Sequence, residues 1–204
     1  PEGWSNSTLT PLPTTHTVPS CGWMIQQHAK AGKFDRQRAD DLGLTTKERA
    51  MLARGEDVTT AEGETLESAW FRGGERAPVS VLISGDTATS PPTWAEDIAP
   101  TLLVHEATFL NEQQGKADEH QHSTAAGAVA SALAVGAESL ALTHYSNRIK
   151  SSDEPLGEAK SMAGALPVVA LNDSDRMVVE DDGRVNHLAW NGSGWASLNI
   201  KPNR

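Results

Sequence analysis

The stretch VSVLISGDT, residues 79–87, decides the fold class of this chain of 204 residues. Its first five positions are apolar or small and rich in β-branched side chains, a composition that predicts a buried strand. Gly85 permits a sharp turn where this strand ends. Asp86 therefore follows a strand end, where reactive groups collect in layered α/β folds. A structural role for Asp86, stabilising the turn, stays equally open from this pattern.

Apolar runs of the same kind recur along the chain and alternate with helical patterns. Strands are predicted at residues 101–104, 139–143 and 168–171. One helix is predicted between His122 and Ala137, with Ser123 or Thr124 as its cap, and another at 154–165. Strands that alternate with helices indicate an α/β layered fold. The other predicted elements are strands at 9–26 (interrupted at Pro19) and 67–71, helices at 34–42 and 46–53, and a closing hairpin within 177–190.

Composition and charge limit the function classes. The net charge of −10 argues against a broad nucleic-acid-binding face, because phosphate backbones bind basic surfaces. The single cysteine excludes an internal disulfide framework and predicts a reducing, cytoplasmic location. No apolar run approaches the length of a membrane span, so we expect no membrane association.

Two histidines add metal-ligand chemistry to Asp86. His144 follows the apolar run LALT, residues 140–143, and an imidazole at a strand end is a suitable zinc ligand. His16 lies in a polar stretch and carries little information alone. A lone histidine at either position is more often structural. The three residues together predict a metal site formed by His16, Asp86 and His144.

Glu106 and His122 are candidates for a supporting role. Glu106 follows a predicted apolar strand and could orient a histidine by accepting its N–H, as carboxylates beside metal sites do. A solvated strand-end carboxylate is the more frequent alternative. His122 precedes a predicted helix start, where it could contact a phosphate or protonate a leaving oxygen. An exposed histidine without such a role is equally consistent with this position.

These residues stand in four short phrases: HTVPS at 16–20, SGDT at 84–87, HEAT at 105–108 with HST at 122–124, and LTHYS at 142–146. Their order resembles the C-terminal portion of ribonuclease Z, the tRNA 3′-processing endonuclease family of the metallo-β-lactamase fold. The resemblance implies an αββα sandwich with two zinc ions, or manganese in their place. It implies that His16, Asp86 and His144 are metal ligands, with Asp86 bridging the ions. It also implies that Glu106 and His122 assist near the scissile phosphate, where the metals activate water.

The resemblance does not extend to all of the family's metal ligands. The family's His-x-His-x-Asp-His motif, which supplies the remaining ligands, is absent from the sequence. We therefore expect residues 1–204 to form a single domain or the C-terminal part of one, with the missing half supplied by upstream sequence or a separate chain. A half-sandwich exposes apolar faces, so we expect a homo-oligomer or a complementing chain. Residues 28–63 are predicted to be an inserted arm, at the place of the family's tRNA-gripping arm but without its Gly-Pro element.

Three functions follow as expectations. The first is a zinc-dependent phosphodiesterase that cleaves pre-tRNA and needs its missing half. The second keeps the fold and acts on a cyclic nucleotide, which the altered arm and the acidic balance favour. The third is a non-catalytic interaction module that pairs with a complete partner, which the missing ligands favour.

Overall fold

A computed structural model of the chain describes residues 5–29, 31–61, 63–74, 78–89, 94 and 98–199. The chain divides into two compact units. The first, here called the sheet unit, comprises Pro1–His28 and Val79–Arg204, and the second, the inserted unit, comprises Ala29–Pro78. All five candidate site residues belong to the sheet unit. Within the described residues, no helix has the length and apolar character that crossing a membrane requires.

The sheet unit contains nine strands and three α-helices among its described residues. Its strands are β1 (Ser7–Pro13), β2 (Cys21–Gln27), β5 (Ser80–Ile83), β6 (Leu102–Glu106), β7 (Leu140–Thr143), β8 (Val168–Ala170), β9 (Arg176–Val179), β10 (Val185–Trp190) and β11 (Trp195–Asn199). Its helices are α3 (Gln114–His120), α4 (Ala125–Ala134) and α5 (Asp153–Met162). The inserted unit contains α1 (Arg36–Asp41), α2 (Thr46–Arg54), β3 (Val58–Thr59) and β4 (Thr65–Leu66).

Six strands form one sheet in the order β1-β2-β5-β6-β7-β8. The pairs β5–β6, β6–β7 and β7–β8 are parallel, whereas the pairs β1–β2 and β2–β5 are antiparallel. Three further strands form a separate antiparallel sheet in the order β11-β10-β9. Parallel strands need crossover connections, and α4 lies in the connection from β6 to β7 while α5 lies in that from β7 to β8. The predicted α/β class is confirmed by this arrangement.

One face of the six-stranded sheet is covered across the five strands β2, β5, β6, β7 and β8. The register places Met24, Leu82, Leu103, Leu140 and Val168 in one row across five strands, and all five are buried. They pack in one cluster with the small side chains of α4 and with residues of α5. Because alanine side chains are short, helices rich in them approach a sheet closely. This face is the main core of the sheet unit.

The opposite face is covered at one end only. Its row runs through Trp23, Ile83, Val104, Ala141 and Val169. Ala141 is fully buried in a cluster that includes residues of β9 and β10, whereas Ile83 is 38% and Trp23 41% exposed. We call the part that this cluster leaves uncovered, formed by Trp23, Ile25 and Ile83, the open sheet face. The three-stranded sheet thus covers β6, β7, β8 and the Val81 end of β5, and it leaves Trp23 of β2 and Ile83 of β5 exposed.

The inserted unit has a small core of its own. Helix α2 begins with a capping box, in which the Thr45 hydroxyl accepts from the Glu48 backbone and the Glu48 carboxylate accepts from the Thr45 backbone. It ends at Gly55, whose φ of 88° is the left-handed conformation that terminates helices. The buried residues of this unit are Ala39, Leu44, Leu52, Val58, Leu66 and Phe71.

One predicted element is wrong. Residues 67–71 were expected to form a strand, but Ser68–Phe71 form a 3₁₀ helix. The side chain of Phe71 is fully buried against the core of the inserted unit, and the Trp70 amide donates to the Glu67 carbonyl in a tight turn. Tertiary packing of one aromatic residue outweighs the local β propensity of Trp and Phe here.

Candidate metal centre

Three of the five candidate side chains lie at the same edge of the sheet. Asp86 follows β5, Glu106 is the last residue of β6, and His144 follows β7. Because β5, β6 and β7 are parallel neighbours, their carboxyl ends meet at one edge. His16 reaches this edge from the loop between β1 and β2, and His122 from the turn before α4. The topology therefore brings together residues that are far apart in sequence.

Unusual backbone conformations hold two of these turns. Gly85 has a φ of 62°, and a Cβ there would lie 3.0 Å from the Cys21 carbonyl oxygen. His144 has a φ of 55°, a left-handed conformation that costs a non-glycine residue about 1–3 kcal/mol. Such strain persists where surrounding contacts determine the conformation. For His144, the Thr108 hydroxyl lies 2.9 Å from its Nδ1 and 3.1 Å from its carbonyl oxygen.

Glu106 is the buried anchor of the cluster. Its side chain is 1% exposed, and two backbone amides donate to it: Thr87 N–H to Oε1 at 2.7 Å and Ser123 N–H to Oε2 at 3.1 Å. The His122 Nδ1–H donates to Oε1 at 2.7 Å, and the Thr108 hydroxyl donates to Oε2 at 2.5 Å. Four donors match the lone pairs of an ionised carboxylate and offset the cost of burying it.

The expectation that Glu106 would be a solvated carboxylate is therefore wrong. The carboxylate orients a histidine, which was the alternative that the sequence left open. His122 is correspondingly restrained, with a side chain only 16% exposed and its ring 6.2 Å from that of Phe109. Its Nδ1 is engaged by Glu106, so its Nε2 is the ring atom left for other contacts.

The other three candidates are more accessible and lie next to one another. The His144 Nε2 lies 3.6 Å from the Asp86 Oδ1, with side chains 50% and 40% exposed. The ring of His16 is 4.8 Å from that of His122, which is 5.6 Å from that of His144. The His16 Nδ1–H donates to the carbonyl of Gln121 at 3.1 Å. All five side chains thus form one contiguous cluster.

Two groups of potential ligands lie within this cluster. His16, Asp86 and His122 form one group, and Glu106, His122 and His144 form the other, with the ligand atoms of each group within 4.8 Å of one another. The predicted trio of His16, Asp86 and His144 is therefore distributed over the cluster rather than gathered in one group. His122, which the sequence assigned to catalysis, belongs to both groups.

The donor set and its spacing suit zinc. Tetrahedral zinc with bonds of about 2.0–2.2 Å to nitrogen and oxygen separates its ligand atoms by about 3.3–3.6 Å. The 3.6 Å between His144 Nε2 and Asp86 Oδ1 falls within this range. In all three histidines Nδ1 faces an oxygen, namely the Gln121 carbonyl, the Glu106 carboxylate or the Thr108 hydroxyl. Metal-binding histidines characteristically engage their second nitrogen in this way, which leaves Nε2 for the metal.

Sequence reasoning missed two residues of this cluster. Thr108 touches Glu106, His122 and His144 with one hydroxyl, and Gln121 holds His16 through its backbone carbonyl. The position of Thr108, two residues after Glu106, was a usable signal because residues i and i+2 of an extended segment face the same side. Gln121 gave no signal, because a backbone carbonyl is independent of residue type.

His105, next to Glu106 in sequence, points away from this chemistry. It is fully buried, its ring lies 6.1 Å from that of Trp94, and its Nδ1–H donates to the Glu106 carbonyl at 2.7 Å. Burial lowers the pKa of His105, so this imidazole is neutral at physiological pH. No metal-binding group among the described residues includes it.

Comparison with known proteins adds relatives of named function. The chain is 35% identical over 156 residues to the ribonuclease Z of Parasynechococcus marenigrum, covering 74% of this chain and 49% of that protein. It is 34% identical over 170 residues to the ribonuclease Z of Haloarcula marismortui, covering 82% and 54%. The chain thus spans about half the length of these relatives. The predicted resemblance to ribonuclease Z is confirmed.

Solved structures give a weaker similarity over a comparable share of the chain. The metallo-β-lactamase fold protein YhfI from Bacillus subtilis has a TM-score of 0.48 at 19% identity, covering 81% of this chain and 47% of that one. The short form of human tRNase Z has a TM-score of 0.39 at 22% identity, covering 71% and 38%. No protein-family model matches the chain.

Proposed function

We propose that this chain, which resembles about half of ribonuclease Z, is the C-terminal part of a metal-dependent phosphodiesterase that cleaves pre-tRNA. The observation that carries the proposal is the cluster at the sheet edge, in which three histidines engage Nδ1 and keep Nε2 available beside Asp86. The ribonuclease Z relatives support the substrate class. The location of the enzyme would be the cytoplasm.

In this proposal His16, Asp86 and His144 hold zinc, with manganese as the alternative ion. A metal ion held by these residues would activate a water molecule for attack on a phosphodiester. The residues of this chain hold the His122 ring in place and transfer a proton. Glu106 fixes the His122 ring through the 2.7 Å hydrogen bond to Nδ1. In its doubly protonated form, His122 would donate the Nε2 proton to the leaving oxygen.

The proposed enzyme needs a second half, because three ligands shared between two metal ions leave each site incomplete. The open sheet face supports this requirement. Large apolar side chains there, Trp23 and Ile83 among them, are 41% and 38% exposed, and contiguous exposed apolar surface marks interaction sites. The missing half, whether encoded upstream or as a separate chain, would cover this face. A second copy of the chain is the alternative occupant.

The experiment tests activity with and without the missing half. The 204-residue chain and a fusion of it to the unmatched half of the Parasynechococcus marenigrum ribonuclease Z are purified with zinc or manganese and assayed on pre-tRNA. We expect cleavage by the fusion alone. Asp86→Ala in the fusion should abolish cleavage and lower the bound metal, whereas His122→Ala should abolish cleavage and retain the metal. Cleavage by the isolated chain would contradict the need for a second half.

A cyclic-nucleotide phosphodiesterase of the same fold is the second candidate. The net charge of −10 and the absence of the Gly-Pro element from the arm favour it. Parallel assays of the fusion on pre-tRNA and on cyclic mononucleotides separate the two. Hydrolysis of the cyclic substrate with no cleavage of pre-tRNA would replace the first proposal by the second.

A non-catalytic interaction module is the third candidate, and the absent His-x-His-x-Asp-His motif favours it. It predicts that His16→Ala and Asp86→Ala leave partner binding and cellular function intact. Loss of function in either variant, with partner binding retained, excludes it.

A further inference from the structure

The hydrogen bond between the Thr108 hydroxyl and His144 can run in either direction, unlike the hydrogen bonds that His16 and His122 make. The Gln121 carbonyl and the Glu106 carboxylate only accept hydrogen bonds, so they require His16 and His122 to carry a proton on Nδ1. A hydroxyl both donates and accepts, so Thr108 alone permits either tautomer of His144. The His144 Nδ1 lies 2.9 Å from this hydroxyl.

Glu106 removes this freedom. The carboxylate can only accept, and its Oε2 lies 2.5 Å from the Thr108 hydroxyl, the length of a charge-assisted O–H···O bond. The hydroxyl has one proton, and the other acceptor in reach, the His144 carbonyl, is farther away at 3.1 Å. The proton therefore points to Glu106, and the lone pairs of the Thr108 oxygen face His144.

We propose that Thr108 is a positioning residue that sets the tautomer of His144. Because the Thr108 hydroxyl donates its proton to Glu106, its oxygen accepts from His144. His144 therefore carries its proton on Nδ1 and presents the Nε2 lone pair to the cation. The order of contacts is Glu106 accepting from Thr108 and Thr108 accepting from His144 Nδ1. The longer contact between Thr108 and His122 Nδ1, at 3.3 Å, is secondary because that nitrogen already donates to Glu106 at 2.7 Å. One buried carboxylate thereby sets the tautomers of two histidines.

A backbone hydrogen bond also joins the segment that carries Thr108 to the turn that carries His144, whose φ is 55°. The Ser146 amide donates to the Thr108 carbonyl at 3.1 Å, which ties the two loops together. The methyl group of threonine is not needed for these contacts, so serine should replace it.

The test reads the tautomer directly in the isolated, metal-free chain. Long-range ¹H–¹⁵N correlation spectra of the labelled protein are recorded at about pH 8, where an ordinary histidine is neutral. We expect His144 of the wild type to be in the Nδ1–H form. Thr108→Ser should keep that form, and Thr108→Val should give a mixture with the Nε2–H form. Thr101→Val is the matched control, because the buried Thr101 hydroxyl accepts from the Ser80 amide and touches no histidine.

The wild-type spectrum alone can overturn the proposal, whether or not the valine variant folds. A predominant Nε2–H form of His144 in the wild type excludes the assignment. So does an unchanged Nδ1–H form in folded Thr108→Val, or a mixture in Thr108→Ser. The role in metal binding rests on the proposed function, and the zinc affinity of the fusion protein tests it separately. Thr108→Val should lower that affinity about 10- to 100-fold, with recovery in Thr108→Ser.

Discussion

At the scale of single residues, the Glu106 carboxylate is buried and accepts four hydrogen bonds. Glu106→Gln should destabilise the fold by about 1–3 kcal/mol, because its NH₂ group would face the backbone N–H of Thr87 or of Ser123, neither of which can accept a hydrogen bond. Urea unfolding of the metal-free chain measures this. Glu119→Gln, the same change at an exposed position of α3, is the control and should shift stability by less than about 0.5 kcal/mol. Equal shifts in both variants would contradict the assigned role.

A second buried pair gives a pH dependence. The Asp175 carboxylate accepts from His187 Nε2 at 2.8 Å and from the Trp190 and Asn172 amides. Burial acts to raise the pKa of Asp175, but these hydrogen bonds outweigh it and lower the pKa below its usual value. A lowered pKa in the folded state contributes stability above the unfolded pKa of about 3.9, and this contribution is lost as the pH falls through the folded value.

Asp175→Asn should therefore cost about 1–3 kcal/mol at neutral pH, because the amide is a weaker acceptor for His187. The difference from wild type should shrink as the pH falls below about 4. Urea unfolding across this pH range provides the measurement. Asp173→Asn, at an exposed position two residues away, should follow the wild type throughout. If the difference in unfolding free energy between Asp175→Asn and the wild type stays constant with pH, the charge of Asp175 does not contribute to stability.

At the scale of elements, the close contact of α4 with Thr89 requires a glycine at position 127. A Cβ at Gly127 would lie 2.1 Å from Thr89 Oγ1 and 2.6 Å from Ser123 Oγ. Gly127→Ala should therefore destabilise the fold by about 1–3 kcal/mol, although alanine favours helices. Gly157→Ala in α5 is the matched control, since nothing lies within 4 Å of its Cβ, and it should stabilise by about 1 kcal/mol. Thermal unfolding gives both values, and stabilisation in both would exclude the clash.

The elements differ in how well the sequence could predict them. The strands β5 to β8 were predictable because each is a short apolar run, and α4 because Thr124 caps an alanine-rich segment. Helix α3 was not, since it is polar throughout and buries only Ala117, which leaves no apolar periodicity. The strand β11 was also missed. Its pairing with β10 is a tertiary contact that local composition does not indicate.

The candidate site was predictable to the same extent as the strands that lead to it. Asp86, Glu106 and His144 follow from strand ends, and a parallel sheet places such ends together. The burial of Glu106 could not be predicted, because its donors Thr87 and Ser123 come from different loops. Hydrogen bonds between loops depend on the packed structure. The roles of the five residues as ligands and catalysts stay predictions that the variants above test.

At the scale of the whole molecule, we predict that the sheet unit associates through the open sheet face. Ile83→Lys places a charge among exposed apolar side chains and should weaken self-association or binding of the complementing half. Leu133→Lys, at an exposed position of α4 on the covered side of the sheet, should leave association unchanged. Sedimentation velocity at several concentrations measures the effect. Equal loss in both variants would indicate a general effect of added charge.

The inserted unit provides the last prediction, because its separate core makes it removable. The Gln27 amide donates to the Val79 carbonyl at 2.9 Å, so the ends flanking residues 29–78 are adjacent within the sheet unit. A short Gly-Ser linker in place of 29–78 should leave the sheet unit folded, with its unfolding midpoint preserved. The predicted arm, residues 28–63, lies almost wholly within this segment.

If that arm holds tRNA, the deletion in the fusion protein should raise the KM for pre-tRNA and leave the hydrolysis of a small phosphodiester intact, because the sheet-edge cluster does not include residues of the inserted unit. The control is a fusion carrying Glu48→Ala, which removes the capping box of α2 without removing the unit. Parallel loss of both activities would mean that the segment supports the fold of the site. Unchanged cleavage of pre-tRNA would mean that it is not a substrate-binding arm, and would favour the cyclic-nucleotide enzyme.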